Sequence, residues 1–296
     1  MDESKIKQLI DELRNAATAE VLGTTKENKE SLIKRIERAL KPQPKDPKYI
    51  HDENIWTTLV TLPYLAPIAR LDLLWQVLCP KSTAPATLSR TWMEALPYPP
   101  RQKEGNTNLD MALGGIRART LGGTENGNKK GNGIEFDSSI ESVCFAEMKW
   151  FSDASKSVTH CKKRNQILRV IENLITFQDS EGNFPTDLHF TLVAPETFIA
   201  EGRPYSRYFN YILEDYEDRK NLLRSLELCE VDLPKRERSK VWQYPADWKE
   251  TILGTSSDRT LHIHKVSYEE LLASAPKESP LKEIVQKIFS ERSGLH

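Results

Sequence analysis

The amino-acid sequence predicts an α/β fold, in which a central sheet is flanked by helices and preceded by an N-terminal helical appendage. Short apolar runs typical of strands alternate with segments whose apolar residues recur at helical spacing. A proline-rich segment at 41–48 follows the first two helical patterns, and neither a helix nor a strand ladder accommodates it. We therefore predict a helical hairpin with its linker at residues 1–45 and one larger domain at 46–296.

Composition and charge exclude several classes of protein. The charged fraction of 29% and hydrophobic fraction of 38% are those of a globular protein, and a net charge of -1 gives no overall preference for nucleic acid. The four cysteines are widely spaced, which argues against a disulfide scaffold or a structural zinc site. The charged N-terminus and the absence of any apolar run of membrane length predict a cytoplasmic protein that does not contact membranes.

Helical periodicity predicts the elements of the first hundred residues. Apolar stripes predict two helices between residues 3 and 41. The apolar stretch 55–78 is interrupted by Pro63 and Pro67, so we expect two buried helices there. Residues 87–96 are predicted to form a further short helix that ends before a proline.

Strand-like runs dominate the middle of the chain. The run 108–113 has strand character, and the Gly- and Asn-rich stretch 114–133 that follows it is interpreted as a long hairpin. The next strand is predicted at 143–150, and an amphipathic helix at 159–177 comes after it. Beyond these, the sequence predicts strands at 187–194 and 260–266, a helical region at 205–228, and helices at 268–274 and 281–289.

The most informative motif lies at the end of the strand predicted at 143–150. Glu147 and Lys149 are two residues apart, so in a strand their side chains lie on the same face. Apolar residues precede and follow them, which predicts a buried position where a carboxylate and an ammonium are costly without a partner. An ordinary salt bridge is the alternative, but the buried position favours an active site.

A divalent metal ion and a phosphodiester would use both side chains. Mg²⁺ and Mn²⁺ are bound by carboxylates together with water and phosphate oxygens. Asp110, in the preceding predicted strand, can supply a second carboxylate where the two strands diverge, and the backbone carbonyl of Met148 can supply a further ligand. Lys149 would then orient or deprotonate the attacking water, or stabilise charge on the phosphate.

The order of helix, strand with Asp110, hairpin, strand with Glu147 and Lys149, helix and strand resembles the PD-(D/E)xK nuclease superfamily. The resemblance covers about a third of the chain. It implies a restriction-endonuclease-like mixed central sheet, Mg²⁺ or Mn²⁺ as the cofactor, DNA as the substrate, and a catalytic Gln166 on the helix after the second strand. An additional carboxylate on a preceding helix is common in that superfamily, and Glu94 is the candidate for it.

The identity of the first metal ligand is open to an alternative. The proline that usually precedes the first aspartate of the superfamily is absent, since Leu109 precedes Asp110. Asp137 is the rival ligand, but the serines after it are typical of a turn. We therefore expect Asp110, rather than Asp137, to complete the metal site.

Cationic residues are concentrated in the segment that follows Glu147. Residues 154–171 contain five cations and no acid, which predicts a surface for the phosphate backbone of nucleic acid. Gln166 lies among them and can hydrogen-bond a phosphate or the attacking water, with a solvated polar side chain as the equal alternative. Asp153 or Ser155 is expected to cap the helix. The five cations are Lys156, Lys162, Lys163, Arg164 and Arg169.

Together these patterns predict a metal-dependent nuclease that hydrolyses phosphodiester bonds in DNA, for which a homodimer would suit double-strand cutting. A protein of the same fold that binds nucleic acid without cleaving it, or that serves as a scaffold, is the alternative, and an RNase is a third. His262 and His264 share a predicted strand face, but no third metal ligand lies near them in the sequence. We therefore interpret them as core or surface histidines.

Overall fold

A central sheet with helices on both faces forms the body of the protein, as the sequence predicts. The computed structural model describes residues 3–23, 26–41, 49–98, 108–119, 133–157, 164–200, 207–231 and 244–295. Within these residues, eight strands form one mixed sheet and eleven helices pack around it.

The strands of the sheet are both parallel and antiparallel. They are β1 (Leu22–Gly23), β2 (Thr91–Pro97), β3 (Leu109–Gly114), β4 (Ile116–Ala118), β5 (Gly133–Phe136), β6 (Ser142–Met148), β7 (Asp187–Ala194) and β8 (Thr260–Ser267). Their order across the sheet is β4-β5-β2-β3-β6-β7-β8, and β1 pairs with β2. Strand β3 is antiparallel to both of its neighbours, whereas β6, β7 and β8 run parallel. The carboxyl ends of the last three strands therefore lie at the same edge of the sheet.

The described helices precede, connect and follow these strands. They are α1 (Glu3–Thr18), α2 (Lys26–Leu40), α3 (Glu53–Leu65), α4 (Leu71–Leu78), α5 (Gln166–Ile175), α6 (Glu196–Ile199), α7 (Tyr208–Glu217), α8 (Arg219–Val231), α9 (Trp248–Leu253), α10 (Tyr268–Ser274) and α11 (Leu281–Arg292). Helix α5 forms the crossover between the parallel strands β6 and β7.

Most of the predicted elements are confirmed, and one is wrong. The apolar stretch 55–78 forms the two buried helices α3 and α4, and the strand predicted at 187–194 has those bounds in β7. The helix predicted at 87–96 is instead strand β2, which pairs with β3 from Thr91 to Ala95. Nearly all of β2 is buried, and a short apolar run buried on both faces of a sheet loses the alternation that marks a strand.

The two faces of the sheet pack against different helices. Cys144, Ala146 and Met148 of β6 belong to an apolar cluster with α3, α4, α10 and α11. The alternate residues Val143 and Phe145 belong to a second cluster, on the opposite face, with α5, α7 and α8. Side chains of β6 and β7 that are in register therefore share a face, and this alternation determines which polar groups can meet.

The N-terminal helical hairpin packs onto the first of these faces. Leu9 and Leu13 of α1 and Ile36 of α2 are fully buried in the same apolar cluster as α3 and α11. The boundary predicted at residue 45 falls within 42–48, outside the described residues. Among the helices that the structure describes, none is long and apolar enough to cross a membrane.

Candidate active site

The pairing between β3 and β6 ends next to the one acidic residue of each strand, Asp110 and Glu147. The paired residues of this ladder run from Gly114 with Val143 to Met111 with Ala146. One step further, the Oδ2 atom of Asp110 accepts a hydrogen bond of 2.8 Å from the backbone N–H of Met148. The side chain of Asp110 thus replaces a ladder hydrogen bond, and it lies beside the end of β6, where Glu147 is located.

Glu147 makes two short polar contacts in a buried position. Its side chain is 1% exposed, and its Oε1 atom lies 2.8 Å from the Lys149 Nζ atom. The same oxygen accepts a hydrogen bond of 2.5 Å from the Nε2 atom of Gln166, the first residue of α5. The structure thus brings together four of the predicted site residues, Asp110, Glu147, Lys149 and Gln166.

A third carboxylate, which sequence reasoning missed, comes from the first turn of α3. The Oε1 atom of Glu53 lies 3.3 Å from the Lys149 Nζ atom. Its Oε2 atom accepts hydrogen bonds from the backbone N–H of Trp150, at 2.9 Å, and from the Ser152 hydroxyl, at 2.7 Å. Glu53 therefore fixes both the lysine and the chain that leaves β6. We refer to Glu53, Asp110, Glu147 and Lys149 as the carboxylate cluster.

Glu94, the candidate for that additional carboxylate, lies on a strand and not on a helix. It is part of β2, with a positive φ of 49°, and its Oε1 atom accepts a hydrogen bond of 2.5 Å from the Asn54 side chain. In the sequence, the available signal for this carboxylate was an acidic residue, Glu53, at the start of a helix that is otherwise almost entirely buried. Glu53 was not recognised because acidic residues are common in the first turn of helices, where their charge interacts favourably with the helix dipole.

Asp137, the rival metal ligand, occupies a turn. It follows β5, and its Oδ1 atom accepts a hydrogen bond of 3.1 Å from the backbone N–H of Ser139, as the sequence predicts for a turn residue. Met148 contacts this cluster through its backbone N–H group, which donates the hydrogen bond to Asp110. Its carbonyl oxygen as a metal ligand stays a prediction.

The carboxylate cluster carries excess negative charge in a buried position. Burial raises the pKa of Asp110 well above its usual value, and the nearby charge of Glu147 raises it further. Burial likewise raises the pKa of Glu147, against the opposing charges of Lys149 and Arg169. Burial lowers the pKa of Lys149, but the three carboxylates outweigh it, so its pKa lies above the usual value. Three carboxylates around one ammonium form an oxygen-rich donor set that fits a hard divalent cation.

The start of α5 differs from the sequence prediction. Asn165 caps the helix, and its side chain accepts a hydrogen bond of 2.8 Å from the Leu168 N–H. Asp153, predicted with Ser155 as this cap, instead accepts hydrogen bonds from Tyr208 and Phe209 at the start of α7. The prediction was wrong because the described helix begins at residue 166 and not near residue 154. The preceding residues 158–163 are outside the described part of the chain.

The predicted nucleic-acid contacts are only partly on the surface. Lys156 is exposed, with its Nζ atom 5.1 Å from the centre of the Tyr208 ring, and Arg169 is half-buried near Glu147. Arg164 is 1% exposed and its guanidinium pairs with the buried Glu172, so its predicted role as a surface contact is wrong. Lys162 and Lys163 lie outside the described residues.

A second polar group occupies the opposite face of the sheet. His262 and His264 on β8 lie beside His189 and Asp187 on β7, two potential metal-ligating residues that are distant from them in the sequence. The interpretation that no third ligand is nearby was wrong, because it could not include the neighbouring strand. We refer to Asp187, His189, His262 and His264 as the histidine cluster.

Comparison of the chain with protein-family models, with curated proteins and with solved structures found no match. The assignment of function therefore depends on the geometry and chemistry of the two clusters.

Proposed function

We propose that the protein is a metal-dependent nuclease of restriction-endonuclease-like fold that hydrolyses phosphodiester bonds, with DNA as the substrate. The observation that carries this proposal is that Asp110 and Glu147, from two neighbouring strands, lie close together at the end of β6, with Lys149 in contact with Glu147. Glu147 is 2.8 Å from the Lys149 Nζ atom, and Asp110 binds the amide between them. The order of β3, β6, α5 and β7 also supports the resemblance that the sequence showed.

Asp110 and Glu147 would hold the divalent cation, Mg²⁺ or Mn²⁺. Burial and the nearby charge of Glu147 raise the pKa of Asp110, and a bound cation would offset that repulsion. When bound, such an ion supplies Lewis-acid chemistry, since it polarises a phosphate oxygen and lowers the pKa of water.

Lys149 acts in this proposal as a positive charge and not as a base. The carboxylates around it hold its pKa above the usual value, so the ammonium keeps its proton near neutral pH. A fixed ammonium in a buried site stabilises negative charge that develops on the phosphate oxygens. The alternative in which Lys149 deprotonates the attacking water is less well supported by these surroundings.

Gln166 and Glu53 are positioning residues in this arrangement. The amide of Gln166 holds the Oε1 atom of Glu147, and Glu53 holds both Lys149 and the Trp150 N–H. Each therefore fixes the orientation of a group that acts on substrate or metal. Lys156 and Arg169 lie near this end of the sheet and would contact the phosphate backbone.

The proposal is tested by cleavage of plasmid, single-stranded DNA and RNA with Mg²⁺ or Mn²⁺. We expect Lys149→Met and Asp110→Asn to abolish cleavage while the folded protein, monitored by circular dichroism, still binds DNA. Asp137→Asn is the matched control, because the turn that contains it is separate from the carboxylate cluster, and it should retain full activity. Cleavage by the Lys149 and Asp110 variants at the wild-type rate would contradict the proposal. If the wild-type protein cleaved RNA but not DNA, the proposed substrate would be RNA.

One observation favours the alternative function, in which the protein binds nucleic acid without cleaving it. The Oε1 atom of Glu147 contacts both Lys149 and Gln166. A closed arrangement of this kind can persist as a structural ion pair. Metal-independent DNA binding by a wild-type protein that cleaves no substrate would favour this alternative.

A further inference from the structure

The histidine cluster is formed by residues of two parallel neighbouring strands. His189 of β7 is in register with His262 of β8, and Asp187 and His264 lie two residues away on the same face. This face packs against α4, where the Trp75 ring contacts the His189 ring at 5.5 Å between centroids. Three imidazoles and a carboxylate therefore lie together on the last two strands of the sheet, β7 and β8.

The potential ligand atoms of Asp187, His189 and His262 lie close together. Asp187 Oδ2 is 2.9 Å from His189 Nε2, and Asp187 Oδ1 is 3.2 Å from His262 Nε2. One ligand atom from each residue lies within 4.8 Å of the other two. Ligand atoms of a tetrahedral zinc ion are about 3.4 Å apart, because each bond is about 2.0–2.1 Å long. The two measured separations, 2.9 and 3.2 Å, are close to that spacing.

The groups behind these three residues resemble the outer shell of a metal site. The Nδ1 atom of His189 faces the Nε2 atom of His264 at 3.2 Å, so both nitrogens of the His189 ring have partners. The Ser142 hydroxyl donates a hydrogen bond of 3.2 Å to Asp187. Contacts of this kind fix the orientation and tautomer of ligating side chains in metal sites.

Exposure differs among the three residues in a way that suits an accessible site. His189 is 1% exposed, and the side chains of Asp187 and His262 are 30% and 42% exposed. The rings of His189 and His262 are stacked, with an angle of 13° between their planes. Parallel planes do not meet at one point, so coordination requires a rotation of the His262 ring, which its exposure allows.

We propose that Asp187, His189 and His262 bind one divalent transition-metal ion such as Zn²⁺, with His264 as the partner that orients His189. Two imidazole nitrogens and one carboxylate oxygen are typical zinc ligands, and they leave a fourth position for water. Imidazole donors also favour such an ion over Mg²⁺, which prefers oxygen. Because the ligands come from two strands, the bound ion would fasten the edge strand β8 to β7.

The alternative is a network of hydrogen bonds and ion pairs without a metal. In that network the His264 ring donates to His189, and His189 and His262 each donate to Asp187. The two possibilities differ in whether the protein binds Zn²⁺ that is added after its metal ions have been removed with a chelator.

The experiment measures Zn²⁺ binding by the full chain after dialysis against EDTA, in competition with a chromophoric chelator. An excess of Mg²⁺ and the Glu147→Gln variant exclude binding at the carboxylate cluster. We expect one equivalent of Zn²⁺ to bind to wild type and to Glu147→Gln, and to raise the melting temperature of both. His51→Ala, which removes an exposed histidine outside the cluster, is the matched control and should bind in the same way.

Variants of the cluster should weaken binding by different amounts. His262→Ala and Asp187→Asn each remove one ligand, and we expect affinity to fall at least about 100-fold, whereas His264→Gln should cost about 10–100-fold. Two ligand variants are used so that a folding defect in one, seen by circular dichroism, leaves the other to decide. The visible absorption of bound Co²⁺ should be lost in the same variants. The proposal is overturned if wild type binds no equivalent of Zn²⁺, or if the folded ligand variants bind it as tightly as wild type.

Discussion

The strand residues of the carboxylate cluster, Asp110 and Glu147, lie on the opposite face of the sheet from the histidine cluster. Glu147 is in register with Leu192, whereas Asp187 is in register with Ser142. Along β7, Asp187 is five residue steps from Leu192 and His189 is three, which is roughly 16 Å and 10 Å at about 3.3 Å per residue. The two clusters therefore do not share ligands, and each can be tested independently.

The difference between the clusters is one of donor chemistry. Three carboxylates and one ammonium form the first, so it presents oxygen atoms and excess negative charge. Three imidazoles and one carboxylate form the second, so it presents nitrogen atoms. Hard cations such as Mg²⁺ prefer the first kind of site, and zinc-like ions prefer the second. One sheet can thus hold two sites of different metal preference, because strand alternation keeps their side chains apart.

The largest expected effect separates the two clusters by activity. Glu147→Gln should lower the cleavage rate by roughly three orders of magnitude, because metal coordination contributes several kcal/mol and about 1.4 kcal/mol corresponds to tenfold. His262→Ala should leave the Mg²⁺-dependent rate within about twofold of wild type. Single-turnover cleavage of a labelled DNA duplex measures both. Comparable losses in the two variants would show that the clusters act together.

A smaller effect is expected when the two candidate additional carboxylates are compared, Glu53 on helix α3 and Glu94 on strand β2. Glu53→Gln weakens the contacts to Lys149 and to the chain after β6, and removal of a supporting partner typically costs about 10–100-fold in activity. Glu94→Gln alters a contact with Asn54 and should cost less. The measurement is cleavage rate as a function of Mg²⁺ concentration. If Glu94→Gln lowered the cleavage rate as much as Glu53→Gln or more, the additional carboxylate would be Glu94. Glu94 is close enough for this role, since it contacts Asn54, the residue next to Glu53.

The sequence predicted elements better than it predicted their neighbours. Asp110, Glu147 and Lys149 could be found because apolar residues surround them within their own strands. Glu53 is far from them in sequence and reaches Lys149 only through the packing of α3 against the sheet. Both strands of the histidine cluster were predicted, but their pairing was not, since a long stretch of chain separates His189 from His262. Register between distant strands is decided by tertiary packing, which local patterns do not encode.

The smallest expected effect compares the clusters by the pH dependence of stability. Asp110 and Glu147 have raised pKa values in the folded protein, mainly through burial, so the folded state binds protons more tightly than the unfolded chain. Stability from these groups is present at low pH and is lost as pH rises from about 4 for Asp110, or about 4.5 for Glu147, through their raised pKa values. The slope is at most about 1.4 kcal/mol per pH unit for each proton.

The histidine cluster should give the opposite slope at lower pH. Burial raises the pKa of Asp187, but hydrogen bonds from His189 and His262 outweigh it and hold the pKa well below its usual value. Its contribution to stability is therefore present above about pH 4, the unfolded value, and is lost as pH falls below it. Urea unfolding of the chelator-treated protein between about pH 3 and 8 measures both limbs. Asp110→Asn should flatten only the limb above about pH 4. Asp187→Asn should flatten the acidic limb and also change the range between about pH 4 and 6.5, because burial lowers the pKa of His264 to about 4 and the charge of Asp187 opposes that shift. A change of the acidic limb in Asp110→Asn would show that the clusters are energetically coupled despite their separation on the sheet.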